Sequence, residues 1–280
     1  MCRGHGVAMS TPRPRSPWMA LTVVALALAA VAAPARAQVN AEALRPDPLR
    51  AGWSRTIDGS LALATGNVAL LDVGGAARVQ YQTVRPGPVP FIGQRGLIAA
   101  SARYAERAGA AFIDQAFVHA RWTAMWWPRL GTDVFAQYQA NQFLRLRGRA
   151  IAGAGVRIEL VHRAAVLVWA GSGYMIEHDR IQVAPGAADP ATSLEHRWTN
   201  YLTARLAVAE GRLLVQHTTY AQPRFDAPSD VRILDDSEAL ARITTVFAFG
   251  ATLSVLHDSA PPTGVAPTDV RLTSTVRATF

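Results

Sequence analysis

The chain of 280 residues holds one cysteine and no lysine. The cysteine, Cys2, stands ahead of the first apolar run, so the rest of the chain can form no disulfide and must be held by non-covalent forces. Every long basic side chain is an arginine, and these are scattered rather than gathered with aromatics into a patch, which excludes nucleic acid as a partner. Long hydrophobic runs are also scarce. The longest apolar stretch, Met19 to Ala33, falls short of the roughly 20 residues a membrane-spanning helix requires. Helical membrane proteins are thereby excluded.

That stretch fits a different purpose. "MCRGHGVAMSTPRPRSPW" supplies Arg3, Arg13 and Arg15 with no acid, the apolar run follows, and "ARA" presents small residues at Ala35 and Ala37. A basic segment, a short apolar segment and a small-residue site make a secretory signal peptide, expected over residues 1–37 with cleavage after Ala37. Met1 and Met9 both serve as starts for such a signal. Cys2 lies upstream of the apolar run and so is no lipid-anchor cysteine. Loss of the four arginines in this segment lowers the formal charge from +8 to +4. Residues 38–51 are expected to form a periplasmic lead-in to the one large domain, residues 52–280.

What that domain has in abundance is alternation. In "DVRLTSTVRATF" one face carries Val270, Leu272, Val276 and Phe280, and the other carries Asp269, Arg271, Thr273 and Arg277. Side chains of a strand point to opposite faces in turn, so this is a long strand with one apolar and one charged face. The pattern recurs. "LLDVGGAARVQYQ" sets Val73, Val79 and Tyr81 against Asp72, Arg78 and Gln80. "DQAFVHARWTAMW" sets Val118, Trp122 and Trp126 against His119 and Arg121. "LGTDVFAQYQA" opposes Val134 and Tyr138 to Asp133, "RAIAGAGVRIEL" opposes Val156 and Ile158 to Arg149, Arg157 and Glu159, and "LEHRWTNYLTARLAV" opposes Trp198 and Leu202 to Glu195, Arg197 and Arg205. Three stretches, near 96–105, 164–176 and 238–247, alternate poorly and are read as strands from their spacing.

About twelve strands result (ten to fourteen at the limits), long enough to cross a bilayer as an antiparallel up-and-down β-barrel. "WWPRLG", "VHR", "AEG" and "FAFG" read as tight connections; "EHDRIQVAPGAADPATS", "QPRFDAPSDVRILDDSE" and "HDSAPPTGVAPTD" read as long polar loops at the opposite end. Trp126, Trp127, Phe247 and Phe280 cluster near strand ends, as interfacial girdles do. The terminal aromatic strand ending at Phe280 resembles the signal read by the barrel-assembly machinery of Gram-negative outer membranes. A soluble periplasmic barrel that binds a ligand also alternates, but its strands are shorter and its apolar faces point inward.

The chain further resembles the YdiY-like outer-membrane proteins, the domain-of-unknown-function 481 family. The resemblance rests on "GWSRTIDGSLALATGN", with Gly52–Trp53 and Gly66–Asn67, and on "HDSAPPTGVAPTDVRLTSTVRATF", with Ser259, Pro261, Pro262, Asp269 and Phe280. It implies an outer-membrane barrel linked to salt stress, with no established activity. The "QVAPGAADPATSLEHRW" stretch departs from the family pattern.

No catalytic, cofactor or metal set is expected. Ser254 and His257 fall on opposite faces of one strand, His196 has the lipid-facing phase without a serine two residues away, and only His217 and Thr219 share a face. That pair defines the rival reading, a lipid-modifying barrel hydrolase. Glu177, His178 and Asp179 in "YMIEHDR" read as the polar mouth of a long loop. The inward charges, Asp72, Arg78, Arg121, Asp133, Arg149, Arg157, Glu159, Glu195, Arg197, Arg205, Arg242, Arg271 and Arg277, read as a lumen wall. It either passes small solutes with a mild preference for anions or is braced shut. The expected protein is a monomer in outer-membrane lipid with a non-enzymatic role in envelope structure or solute passage under osmotic or salt conditions.

Overall fold

The computed structural model describes residues 51–64, 70–83, 92–107 and 110–280, so the expected signal, Ala37 and the lead-in up to residue 50 lie outside the described residues, as does the "TGN" turn. Twelve strands follow in order: β1 (Gly52–Ala64), β2 (Leu70–Thr83), β3 (Gly93–Arg107), β4 (Ala110–Met125), β5 (Leu130–Asn141), β6 (Leu146–His162), β7 (Val166–Ile181), β8 (Thr192–Val208), β9 (Leu213–Pro223), β10 (Val231–Arg242), β11 (Phe247–Asp258) and β12 (Thr268–Thr279). Each pairs antiparallel with its neighbours in sequence, and β12 returns to β1, so the sheet closes.

Closure satisfies the backbone donors and acceptors that hydrocarbon could not. The side chains then sort by phase. Ile57, Leu61, Ile98, Val156, Leu202 and Val276 stand on the outside, each exposed, while Arg78, Arg149, Arg197 and Arg232 point inward and are buried. Among the described residues the buried side chains are polar or charged in 26 cases and apolar in 13. A soluble barrel would show the reverse, and that reading is set aside.

The two ends differ. At one, 3-10 turns or short bends join β4–β5, β6–β7, β8–β9 and β10–β11; Ala209, Glu210 and Gly211 turn with φ of 51°, 58° and 80°, a left-handed run that reverses the chain in three residues. At the other end lie the longer segments 182–191, 224–230 and 259–267. Two boundaries depart from the sequence reading. The β10–β11 turn is Ile243–Val246, closed by Thr244 Oγ1 accepting from the Phe247 amide at 2.9 Å, so "FAFG" begins β11 rather than making the turn. β7 also runs on to Ile181. Its inward face holds Trp169 and Met175, both buried, and this apolar interior is why its alternation is hard to see.

Candidate functional site

The barrel interior is the first candidate. Along the strands, the inward phase among the described side chains presents Arg78, Arg95, Arg103, Arg121, Arg149, Arg157, Arg197, Arg205, Arg232, Arg271 and Arg277. Facing them are Asp58, Asp72, Asp133, Glu159, Glu177, Asp179, Glu195, Asp236, Glu238, Asp258 and Asp269. The two sets are equal in number, so the wall is balanced among the described side chains.

The loop end holds the densest part. Glu177 accepts from Arg232 in a short contact and lies 3.5 Å from Arg149 and 3.7 Å from Arg197. Arg149 clamps Asp179 through Nε at 2.7 Å and Nη2 at 2.5 Å. Arg197 reaches Glu195 at 2.5 Å and Asp230 at 3.0 Å, and Arg232 reaches Asp258 at 2.8 Å. Forked guanidinium–carboxylate contacts of this kind fix geometry as well as charge. They tie β6, β7, β8, β10 and β11 together across the mouth. At the lip, Arg224 donates to Asp226 at 2.6 Å and 3.0 Å. That hydrogen bond holds the Arg224 guanidinium above, and the Asp226 carboxyl below, their ordinary values.

Outside this network a vestibule of about 390 Å³ opens between the loops, walled by Pro190, Pro261, Pro262 and Val265 and floored by Arg149, Arg232, Asp179 and Asp258. Its lining charges comprise three arginines and six carboxylates, an acidic entrance. A second chamber of about 220 Å³ lies inside, against β1–β4 and β10–β12. Four arginines (Arg78, Arg103, Arg271, Arg277) meet Asp58, Asp236 and Glu238 there. Asp72 pairs with Arg103 at its edge, so these charges balance four to four. Between them Tyr201 Oη donates across the lumen from β8 to Asp133 on β5 at 3.0 Å, beside a cavity of about 40 Å³.

Arg78, Arg121, Asp133, Arg149, Arg157, Arg197 and Arg205 are buried inside, and Arg277 donates to Asp58 at 2.8 Å and Glu238 at 2.7 Å. Asp72 pairs with Arg103, and Glu159 contacts His162 at the turn end. Arg242, the last residue of β10, is exposed at the turn-end rim, still in register with Ala248. Glu177 and Asp179, expected at a loop mouth, sit instead inside on β7, while His178 between them faces out. Arg95, Arg103, Arg232, Asp236, Glu238 and Asp258 escaped the sequence reading; carrying the period-2 phase to the end of each strand would have found them. Trp127, Phe247 and Phe280 are exposed at the turn end, with Trp53 and Tyr81, and Trp126 is held there by its Nε1 donating to Thr132 at 2.9 Å. His217 and Thr219 lie on the outer face of β9.

A closed twelve-stranded barrel, apolar outside, charged inside and ringed by aromatics, defines an integral outer-membrane β-barrel protein, which sits in lipid as a closed single chain. The chain belongs to the family described as "Protein of unknown function, DUF481", which it matches over residues 92–280; "GWSRTIDGSLALATGN" precedes the matched part. No curated protein matches it. Solved structures similar to it include the KdgM porin in complex with disordered oligogalacturonate (7% identity, 80% of this chain and 99% of that chain, TM-score 0.44). The NanC porin is similar at 7% identity (81% and 98%, TM-score 0.43), and so is the translocator domain of the autotransporter NalP from Neisseria meningitidis at 10% (84% and 90%, TM-score 0.43).

Proposed function

We propose that this barrel is a narrow passage for small polar solutes across the outer membrane, non-enzymatic in its lumen and mildly anion-favouring. The observation that carries the reading is a pair of chambers with charged linings, a vestibule of about 390 Å³ between the loops and one of about 220 Å³ within the wall. The acidic entrance and the balanced wall limit selectivity, and the arginines that face into the inner chamber, Arg78, Arg271 and Arg277, favour anions there. Export through residues 1–37, recognition of the β12 strand by the assembly machinery, and service under osmotic or salt conditions belong to the same proposal; the last rests on the family resemblance.

Single-channel recording of the refolded protein in a planar bilayer under a potassium chloride gradient tests it. Small stepwise currents with a reversal potential slightly on the chloride side are expected. Arg271→Glu changes the chamber by two charges and should carry the reversal potential to the potassium side. A protein that inserts and stays silent would leave the lumen as bracing only.

A further inference from the structure

The outer wall carries a second constellation, independent of the lumen. On β9 and β10 four polar side chains face outward together: His217, Thr219, Asp235 and Ser237. They adjoin because His217 is the register partner of Ser237 and Thr219 that of Asp235. His217 Nδ1 lies 2.9 Å from Ser237 Oγ, and its Nε2 lies 3.1 Å from Thr219 Oγ1 and 3.4 Å from Asp235 Oδ2. Thr219 Oγ1 donates to Asp235 Oδ2 at 2.7 Å. One tautomer satisfies the whole chain: Ser237 donates to Nδ1, Nε2–H donates to Thr219, and Thr219 donates to the carboxylate. A nucleophile, a base and an orienting acid are thereby in series.

Their surroundings are apolar. Across the register stand Leu202 and Ala204 on β8 and Leu253 and Val255 on β11, on the same outer face. An ionisable group on such a face is costly and calls for a function. His217 remains 49% and Asp235 35% exposed, so the cluster is open to a lipid ligand.

Its height can be read from the register. Tyr104 and Tyr138 are exposed outer-face aromatics toward the loop end, as are Tyr174 and Trp198. The register through Tyr138 passes Ala150 and reaches His178, and the aromatic on β7 is Tyr174, four residues nearer the turns. Strand tilt produces this step. Between β8 and β10 the register runs from the Trp198 level through Pro223 to Val231, and the same step lands on Asp235. The cluster starts at the loop-side aromatic row with Asp235, and His217 and Ser237 stand two residues nearer the turns, on the acyl side of the membrane interface where ester carbonyls reside.

We propose that Ser237, His217 and Asp235 form an acyl-ester hydrolase site on the outer wall, acting on ester-linked lipids of the leaflet at the loop end. Ser237 Oγ attacks the ester carbonyl carbon while His217 Nδ1 takes its proton. The carbon–oxygen ester bond breaks, and the leaving alcohol receives that proton from His217. Water then attacks the acyl-serine, giving a proton to His217; the acyl–Oγ bond breaks and Ser237 recovers the proton. The products are a free fatty acid and the deacylated lipid alcohol, with no redox change. Ser237 and His217 are the catalytic residues; Asp235 and Thr219 position the imidazole.

The test incubates the full chain in vesicles of phosphatidylethanolamine and phosphatidylglycerol, and separately in vesicles containing lipopolysaccharide, and measures free fatty acid. Heat-dependent gel mobility reports the folded barrel, and an alkyl fluorophosphonate followed by peptide mass spectrometry reports the nucleophile. Fatty acid release in one or both vesicle types, with an adduct on Ser237, is expected, and the responding vesicle identifies the lipid source. Ser237→Ala should abolish both signals, and His217→Gln should slow release by about 10²-fold or more. Asp235→Asn should slow release and displace its pH profile, which a merely structural aspartate would not do. Folded barrel that yields neither fatty acid nor adduct, or release unchanged in Ser237→Ala, overturns the proposal. Conductance is untouched by any of these results, so the lumen reading stands or falls separately.

Discussion

Asp133 shows how much a single lumen carboxylate can hold. It is buried, accepts from Thr123 at 2.5 Å and from Tyr201 at 3.0 Å, and lies 3.8 Å from Arg157. Removing one member of a buried pair leaves the other charge uncompensated, which costs about 3–5 kcal/mol, whereas losing one neutral donor costs about 1 kcal/mol. Asp133→Ala should therefore lower the urea midpoint of the folded barrel far more than Tyr201→Phe, as followed by tryptophan fluorescence in vesicles. At the lip the charges are wet, and the expected effect is a titration. Because the Arg224 hydrogen bond lowers the Asp226 value, its contribution is complete above the ordinary aspartate range and disappears only as pH falls through the lowered value. Carboxyl NMR should show Asp226 titrating below other exposed aspartates, and Arg224→Gln should return it to their range.

Strands β6 and β7 approach each other more closely than side chains allow. Gly155 and Gly173 are register partners, and a Cβ on Gly155 would stand 2.6 Å from the Ser172 carbonyl oxygen and 2.8 Å from the Gly173 Cα. The Tyr201 ring lies over Gly171 and the Phe135 ring over Gly153, each from the neighbouring strand. These aromatics cover the glycine backbone and fill the lumen at the same stroke. Gly155→Val should destabilise by roughly 1–3 kcal/mol through overpacking. Gly171→Ala should push Tyr201 off Asp133, so its effect and that of Tyr201→Phe should fall short of additivity in a double-mutant cycle. The elements themselves were legible from period-2 alternation, which needs only local sequence; β5, β8 and β12 stand within a residue or two of where that alternation puts them. β7 was blurred because Trp169 and Met175 put apolar groups on the wet side. The partners were not legible at all. Arg232 and Glu177 are 55 positions apart, and Ser237 meets His217 only once the β9–β10 register is known. Proximity across a lumen or between strands is a product of closure and register, which no local pattern encodes.

For the whole molecule, closure depends on one seam. β1 and β2 share thirteen register pairs, but β1 and β12 share four, Thr56–Thr279 through Gly59–Val276, among the described residues. Arg55 and Phe280 extend the seam by exchanging backbone hydrogen bonds of 3.1 Å and 2.9 Å. The Phe280 backbone thus contributes two bonds to the least-paired junction of the barrel, while its side chain is 67% exposed at the turn-end rim. Backbone and side chain can be tested apart. Deleting Phe280 removes both bonds and should lower the stability of barrel refolded in detergent by about 1–3 kcal/mol, from roughly 0.5–1.5 kcal/mol per bond. Phe280→Ala keeps both bonds and should leave refolding in detergent unchanged. If the aromatic is what the assembly machinery recognises, the same substitution should reduce the amount of folded barrel in outer membranes of cells expressing it. Equal levels of Phe280→Ala and the parent protein in those membranes would confine Phe280 to the seam and the girdle.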